Sequence, residues 1–428
     1  MKNTVRDVDP FGNPIDPAVR YARGSILGSS TDEFRKLEHA HVVIRKRVAQ
    51  SGEDSIYILT GNQRNYPIQA EDIGTRTEEW VGSALLHPRL KELVREHLGA
   101  PSDAEVAVFN RSSAGIIATI SALAQEESTV VSVAPLGSGA HASVRRGCYL
   151  ARARVREVGT LIELQEVLER EHPPLVVITP VCSELNMLGT RDFEGTVEIA
   201  RRHGAVTFVD DAYGARIRPV LYGGPRSLEL GADLAISNSD KAGLEGPRGG
   251  YMAGRPDLVT RVQARAGEFG LEARTPITLG IVRCLERWDP ENLRDEARAG
   301  AQLFAAMEKS LGAGRVIRTP LGPMITEDEI LALALQRADL AYNQVRAVPA
   351  EASAALGMVL LEKFGLLTVN VAGAPGARVS MRLKPTMKAV DRFGGAEKMA
   401  TAVDKGISLV AELLGDIDKM SRVILGTQ

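Results

Sequence analysis

Residues 205–241 read AVTFVDDAYGARIRPVLYGGPRSLELGADLAISNSDK, and this stretch decides the fold. Its first five residues form an apolar, β-branched run of the length of a buried strand, which ends on two carboxylates, Asp210 and Asp211. A second short run, LAIS over Leu234–Ser237, leads to Lys241, 31 positions after Asp210, and into the glycine-rich GLEGPRGGYMAG. Strands separated by a crossover pair in parallel, and ligands of parallel sheets sit beyond the carboxyl ends of the strands, where both charged residues fall. As isolated residues, Asp210 is an ordinary strand-end acid and Lys241 a solvated lysine; the surrounding motifs make the case for more. Two aspartates at a strand end also occur in nucleotide hydrolases, but that site needs a G-x(4)-GK-[ST] loop, and the sequence has none.

Asp210, Asp211, Ala212 and Tyr213 match a D-x-A-[HY] motif, and Lys241 is followed by a glycine-rich turn through Gly250. In these motifs the chain resembles the fold-type I pyridoxal 5'-phosphate (PLP) enzymes, the aspartate aminotransferase superfamily. Within it, DKAGLEGPRGG is most similar to the DK-x(4)-GP-x-G segment of the selenocysteine synthase (seryl-tRNA selenium transferase)-like group. HASVRRGCYLARA, starting at His141, resembles the HAS-x(3)-G-x(5)-A segment of the oxoamine synthases. The resemblance spans residues 105–290 and implies an α/β fold: a three-layer α/β/α large domain with a mostly parallel sheet, and a smaller α+β C-terminal domain. The expected boundaries are an N-terminal arm and helix over 1–50, a PLP-binding domain over 51–290 and a small domain over 291–428.

The same resemblance assigns roles. Lys241 forms the Schiff base with the cofactor aldehyde, and Asp210 keeps the pyridine nitrogen protonated so that the ring accepts electrons. His141 stacks on the ring and is placed to relay a proton. After the strand candidate VAVFN, small and hydroxyl residues open an apolar helix; free N–H groups and the helix dipole make such a start an anion site, so Ser112, Ser113 and Ala114 are expected to hold the phosphate. Ala212 lies in the acid motif. Ser183 and Asn186, after another strand, are expected near the cofactor 3-hydroxyl. Ser239 flanks Asn238, which stands where related enzymes often carry a serine three positions before the lysine. Thr275 and Thr278 are expected to touch the PLP phosphate of a neighbouring subunit, which makes a dimer the smallest active homo-oligomer. For an anionic or carboxylate group of the substrate the candidates are Arg382 first, then Arg378 and Arg248, because a guanidinium fork matches a carboxylate. Asn62 and Arg64 lie in the loop that covers the substrate in the family.

Composition narrows the classes. A chain of 428 residues with 44% hydrophobic and 25% charged content is long and apolar enough for two globular domains. A formal net charge of -2 supplies no global basic field, so the expected substrate is a small amino acid and no nucleic-acid partner is expected. Three widely spaced cysteines, Cys148, Cys182 and Cys284, indicate a reduced compartment without a disulfide frame and offer no metal spacing. The start carries no apolar leader and no run of 18 apolar residues follows, so the expectation is a cytoplasmic protein without membrane contact.

Along the chain, residues 1–30 are expected to form an extended arm, followed by a helix capped by Thr31 or Asp32. RVIR, LLTVNVAG and ARVSMRL are the strand candidates of the small domain. The chemistry implied is an external aldimine followed by α-proton removal, leading to β-elimination or β-replacement; transamination and carbon–carbon bond formation are the alternatives within PLP chemistry. From another class, Gly137, Gly139 and Ala142 fit a G-x-G-x-x-[GA] dinucleotide fingerprint with Glu157 as its acid, the signature of an NAD(P)-binding oxidoreductase. That reading leaves Asp210 and Lys241 without a role.

Overall fold

The computed structural model describes residues 7–373 and 375–427. The chain divides into two compact units: one is Asn62–Arg294, and the other joins the described residues up to Gly61 with those from Asp295 onward.

The first unit is built on a seven-stranded sheet. Its strands are β1 (Glu105–Phe109), β2 (Thr129–Val133), β3 (Arg154–Val158), β4 (Leu175–Ile178), β5 (Val206–Asp210), β6 (Leu234–Asn238) and β7 (Gly250–Gly254), in the spatial order β1-β7-β6-β5-β4-β2-β3. The pairs from β6 through β5, β4 and β2 to β3 are parallel, while β7 runs antiparallel to both its neighbours. Each parallel step is bridged by a helix, as a crossover requires. The helices are α1 (Val81–Leu98), α2 (Ser112–Leu123), α3 (Ala142–Leu150), α4 (Leu161–Glu171), α5 (Thr190–Arg202), α6 (Gly214–Tyr222), α7 (Pro256–Glu268) and α8 (Thr275–Glu286).

Strand periodicity explains the three layers. Val131, Val133, Val176, Ile178 and Val209 point to one face and pack with residues of α1, α4, α5 and α8. Their neighbours Val130, Leu175, Val177, Phe208 and Leu234 point to the other and pack with α2, α3 and α7. Strands covered on both faces read as continuous apolar runs, which is why VVSV and LVVI show no alternation. The edge strand β3, RVREV, exposes Arg154 and Arg156 and turns its valines inward, and the exposed charges blunt the edge against further pairing.

The second unit differs from the expected division. The described part of the N-terminal stretch is not an extended arm: Ile15–Asp16 pairs with Tyr21–Ala22, and Val19, Tyr21 and Ala22 pack on Val348, Ala350 and Val379. The buried Glu351 carboxylate accepts the backbone N–H groups of Ile26 at 2.5 Å and Leu27 at 3.0 Å, which fixes the approach to the helix Ser30–Ser51. That helix is capped by Ser29, whose Oγ accepts from Asp32 N, and not by Thr31 or Asp32. Tyr57–Ile58 pairs in parallel with Leu366–Leu367, so residues expected at the start of the large domain belong with the C-terminal part.

The strands of the small domain are shorter than the sequence suggests. Ile317–Thr319, Gly322–Ile325 and Met381–Arg382 form a three-stranded antiparallel sheet. LLTVNVAG keeps only Leu366–Leu367 as strand and turns into the short helix Val369–Ala372, where Thr368 and Asn370 bond each other and Asn370 bonds Ser353. Local side-chain bonds of Thr and Asn compete with the sheet ladder in this way. No helix among the described residues is long and apolar enough to cross a membrane.

Candidate active site

Asp210 ends β5 at 4% exposure, and its Oδ1 has no hydrogen-bond partner among the described residues. Burial pushes its pKa up to about 6 against the opposing pull of the Lys241 charge, with the neighbouring Asp211 adding to the rise. Asp211 is employed elsewhere: its Oδ2 accepts from Ser227 Oγ at 2.6 Å and lies 3.6 Å from Arg218 Nη2. Oδ1 of Asp211 is likewise without a hydrogen-bond partner among the described residues, and the Lys241 charge acts on Asp210.

Lys241 lies three residues beyond β6, with its Nζ 4.9 Å from the centroid of the buried Tyr213 ring. Behind it the chain turns through Ala242 at φ 50° and Gly243 at φ 81°. A left-handed alanine costs about 1 kcal/mol, and strain of this kind concentrates at functional sites. Gly243 has no alternative, since a Cβ there would stand 2.8 Å from Leu293 N.

His141 is the N-cap of α3, its Nδ1 accepting from Ser143 N at 3.2 Å and facing Ser143 Oγ at 2.8 Å. Nδ1 is thus an acceptor, which leaves the ring proton on Nε2. Burial, then the positive charges of Lys241, Arg111, Arg146 and Arg145, lower its pKa to about 3, so the ring is neutral.

At the start of α2, Ser112 and Ser113 are partly exposed and Ala114 is buried. The N-cap position is Arg111, in extended backbone and without a side-chain cap. Strand β7 passes so close that a Cβ on Gly250 would sit 2.6 Å from Ser112 N. Arginines gather around this turn. Arg64 Nε bonds Asp240 Oδ2 at 2.9 Å, and Asp240 is almost fully buried beside Lys241. Arg248 has its pKa lowered to about 10 by burial and by the charges of Arg111 and Arg64, with Asp240 opposing. Arg111 is lowered in the same way by burial, Arg64 and Arg146.

Other expected residues are placed differently. Ser239 is fully buried and its Oγ donates to Pro247 O at 2.5 Å, closing the glycine turn from within. Asn238 bonds Arg216 and the Ala212 carbonyl. Thr275 Oγ1 lies 2.6 Å from Ser83 Oγ and donates to Glu79 O, while Thr278 bonds back to Arg274 O. Both threonines make these bonds within their own unit. Ser183 lies in the loop after β4, in which Leu185 adopts φ 65° and the Asn186 amide donates to Ser138 Oγ at 3.1 Å. Ser138 sits between Gly137 and Gly139, and Glu157 lies on β3 at 3.4 Å from Arg145, so the elements of the dinucleotide fingerprint have other uses. In the second unit, Arg382 is buried on its short strand with Nη2 donating to Arg378 O; Arg378 lies outside that strand.

Sequence reasoning gave no site role to Tyr213, Arg111, Arg146 or Asp240. Tyr213 and Asp240 adjoin the two motifs, which was the available signal; the arginines come from separate segments and nothing in their spacing joins them. The arrangement fits PLP. An orphaned buried carboxylate oxygen suits a protonated ring nitrogen, and a helix start ringed with guanidinium groups suits a phosphate.

Comparison with known proteins agrees with this fit. Residues 60–283, more than half of the chain, match the family described as aminotransferase class I and II. The chain is 34% identical over 405 residues to a UPF0425 pyridoxal phosphate-dependent protein of Methanothermobacter thermautotrophicus, covering 94% of this chain and 100% of the relative. It is 27% identical over 289 residues to 8-amino-7-oxononanoate synthase of Marinobacter nauticus, covering 64% of this chain and 65% of that enzyme. Among solved structures, L-threonine transaldolase from Pseudomonas fluorescens superposes with a TM-score of 0.58 at 11% identity, over 90% of this chain and 93% of that one. At that identity the likeness shows the fold alone.

Proposed function

The chain belongs to the aminotransferase class I and II family and is a pyridoxal 5'-phosphate-dependent enzyme, and on that premise we propose that it removes or replaces a group at the β carbon of a small amino acid of the serine or phosphoserine type, with phosphoserine favoured. The observation that carries this reading is the gathering of guanidinium groups where the glycine turn meets α2. Arg64, Arg111, Arg146 and Arg248 act on one another there, with Asp240 as the opposing acid. Partly buried like charges repel, and a second anion beside the cofactor phosphate relieves them. The DK-x(4)-GP-x-G likeness to the selenocysteine synthase-like group supports the same branch of chemistry.

When bound, PLP supplies the electron sink for the α carbon of the amino acid. Lys241 is assigned as the attachment lysine and, at its Nζ, as the base that moves the α proton. Asp210 would hold the ring nitrogen's proton through the oxygen that has no hydrogen-bond partner among the described residues. His141, neutral and with its proton on Nε2, would lie against the ring and exclude water from one side. Ser112, Ser113 and Ala114 would orient the phosphate, and Arg248 with Arg64 would orient the leaving group.

A second reading, carbon–carbon bond formation, is favoured by the HASV segment at His141 together with the likeness to 8-amino-7-oxononanoate synthase. One assay separates them. Incubation with O-phospho-L-serine is expected to release pyruvate, ammonium and inorganic phosphate, or to yield cysteine when sulfide is added, and Arg248→Ala is expected to lower this activity more than activity on serine. No release from any β-substituted amino acid, with carbon dioxide evolved from amino acid plus acyl thioester, sinks the first reading in favour of the second.

A further inference from the structure

Arg216 is 1% exposed, among the largest fully buried side chains of the protein, and bonds no carboxylate among the described residues. It leaves α6 and runs beneath the carboxyl ends of β5 and β6 and the amino end of the antiparallel β7. Its Nη2 donates to Ala212 O and to Asn238 Oδ1, each at 3.0 Å. Its Nη1 donates to Tyr251 OH at 2.9 Å, Ser237 Oγ at 3.1 Å and His97 Nε2 at 3.2 Å. Arginine carries donors only, so every partner accepts, and the buried His97 ring is held neutral by burial and by the Arg216 charge. Asn238 completes the arrangement by donating its Nδ2 to the same Ala212 carbonyl at 3.0 Å.

Burying a cation without a counter-ion is unfavourable by several kcal/mol, so a strand end that needed only tying down is better served by neutral groups. What this guanidinium fixes is the turn that follows Asp210, through the carbonyl of the Ala212–Tyr213 peptide. The Ala212 carbonyl is held by Arg216 and Asn238, and the Asp211 carbonyl accepts from Ser237 Oγ at 2.9 Å, itself an Arg216 partner. The Asp210 side chain hangs from this same turn, and the Ala212 backbone acts on its carboxylate.

We infer that Arg216 is a positioning residue: with Asn238 it aims the Asp210 carboxylate at the cofactor's ring nitrogen. The role depends on the planar fork, which reaches acceptors on α1, β6, β7 and the turn after β5 at once, and not on charge alone. The inference rests on the assignment of Asp210 to the ring nitrogen.

The test is a titration of the apo protein with PLP, followed by visible absorbance across pH, for wild type, Arg216→Lys, Asn238→Ala and the double variant. Both single variants are expected to weaken PLP binding about tenfold or more, the scale of a lost buried charge-assisted hydrogen bond, and to shift the pH midpoint of the bound cofactor's absorption. The double variant is expected to lose little beyond the worse single one, because both residues act on one carbonyl. Single variants that keep wild-type far-ultraviolet dichroism, PLP affinity and pH midpoint overturn the inference, as does full rescue by lysine. If Arg216→Lys does not fold, Asn238→Ala carries the test alone, since it removes only a neutral amide. A wild type that takes up no PLP refutes the cofactor assignment itself, and the inference with it.

Discussion

Replacing Asp210 by asparagine is expected to stabilise the apo protein while weakening its hold on the cofactor. The pKa of Asp210 stands at about 6 against a reference of 3.8, raised chiefly by burial. At about 1.4 kcal/mol per unit, roughly two units correspond to about 3 kcal/mol by which the charged carboxylate disfavours the folded apo state above pH 6. The sign follows from linkage: a carboxyl whose folded pKa is raised contributes fully below the unfolded value near 4, and that contribution is lost as pH rises through 6. Asparagine keeps the shape and the bond from Ala212 N but brings a buried amide donor, a cost of about 1 kcal/mol. The net expected gain is about 2 kcal/mol at pH 7.5, shrinking and reversing toward pH 4, measured as the apo protein's urea midpoint at both pH values. PLP affinity should fall by about tenfold or more, because asparagine leaves the ring nitrogen's proton without an anionic acceptor. An apo variant that is less stable than wild type at pH 7.5, by the same margin at pH 5, refutes the claim that Asp210 is a buried carboxylate awaiting a partner.

Two further outcomes follow from the same geometry. Gly250→Ala sets a methyl group 2.6 Å from Ser112 N, pushing α2 off its site, so cofactor affinity should fall and the apo melting temperature should drop by several degrees; a variant with unchanged PLP affinity contradicts the placement of the phosphate at α2. His97, whose pKa is held well below its usual value by burial, binds a proton when unfolded but not when folded, so the stability of the apo protein should decline as pH falls below about 6.5, at up to about 1.4 kcal/mol per pH unit. His97→Gln keeps an acceptor for Arg216 and should remove close to one proton from that slope, read from denaturant titrations at pH 5 to 6.5.

Much of the site was legible because its chemistry follows strand ends. AVTFV and LAIS are continuous apolar runs of strand length, and whatever follows such a run in a parallel sheet stands at the ligand edge, as Asp210 and Lys241 do. Hydroxyl residues were harder to read. Ser239, Thr275 and Ser29 look alike in sequence, yet one closes a turn, one packs a helix and one caps a helix, because a hydroxyl bonds whatever acceptor or donor the tertiary structure brings near. The hub at Arg216 was invisible for a similar reason: an arginine in ARIRPV has the pattern of a solvated helix face, and its burial depends on acceptors contributed by His97, Ser237, Asn238 and Tyr251. The N-terminal stretch, polar and rich in glycine and proline, gave no sign that Glu351, more than 300 residues away, would bind its backbone.

Lys241 is proposed as the residue to which the cofactor attaches. Borohydride reduction of the PLP-loaded protein, followed by proteolysis and mass analysis, tests it directly. A phosphopyridoxyl group on Lys241 in wild type, absent from Lys241→Ala together with the visible absorption of the bound cofactor, is the expected result. The modification found on another lysine, or a protein that stays colourless with excess PLP, would contradict the account.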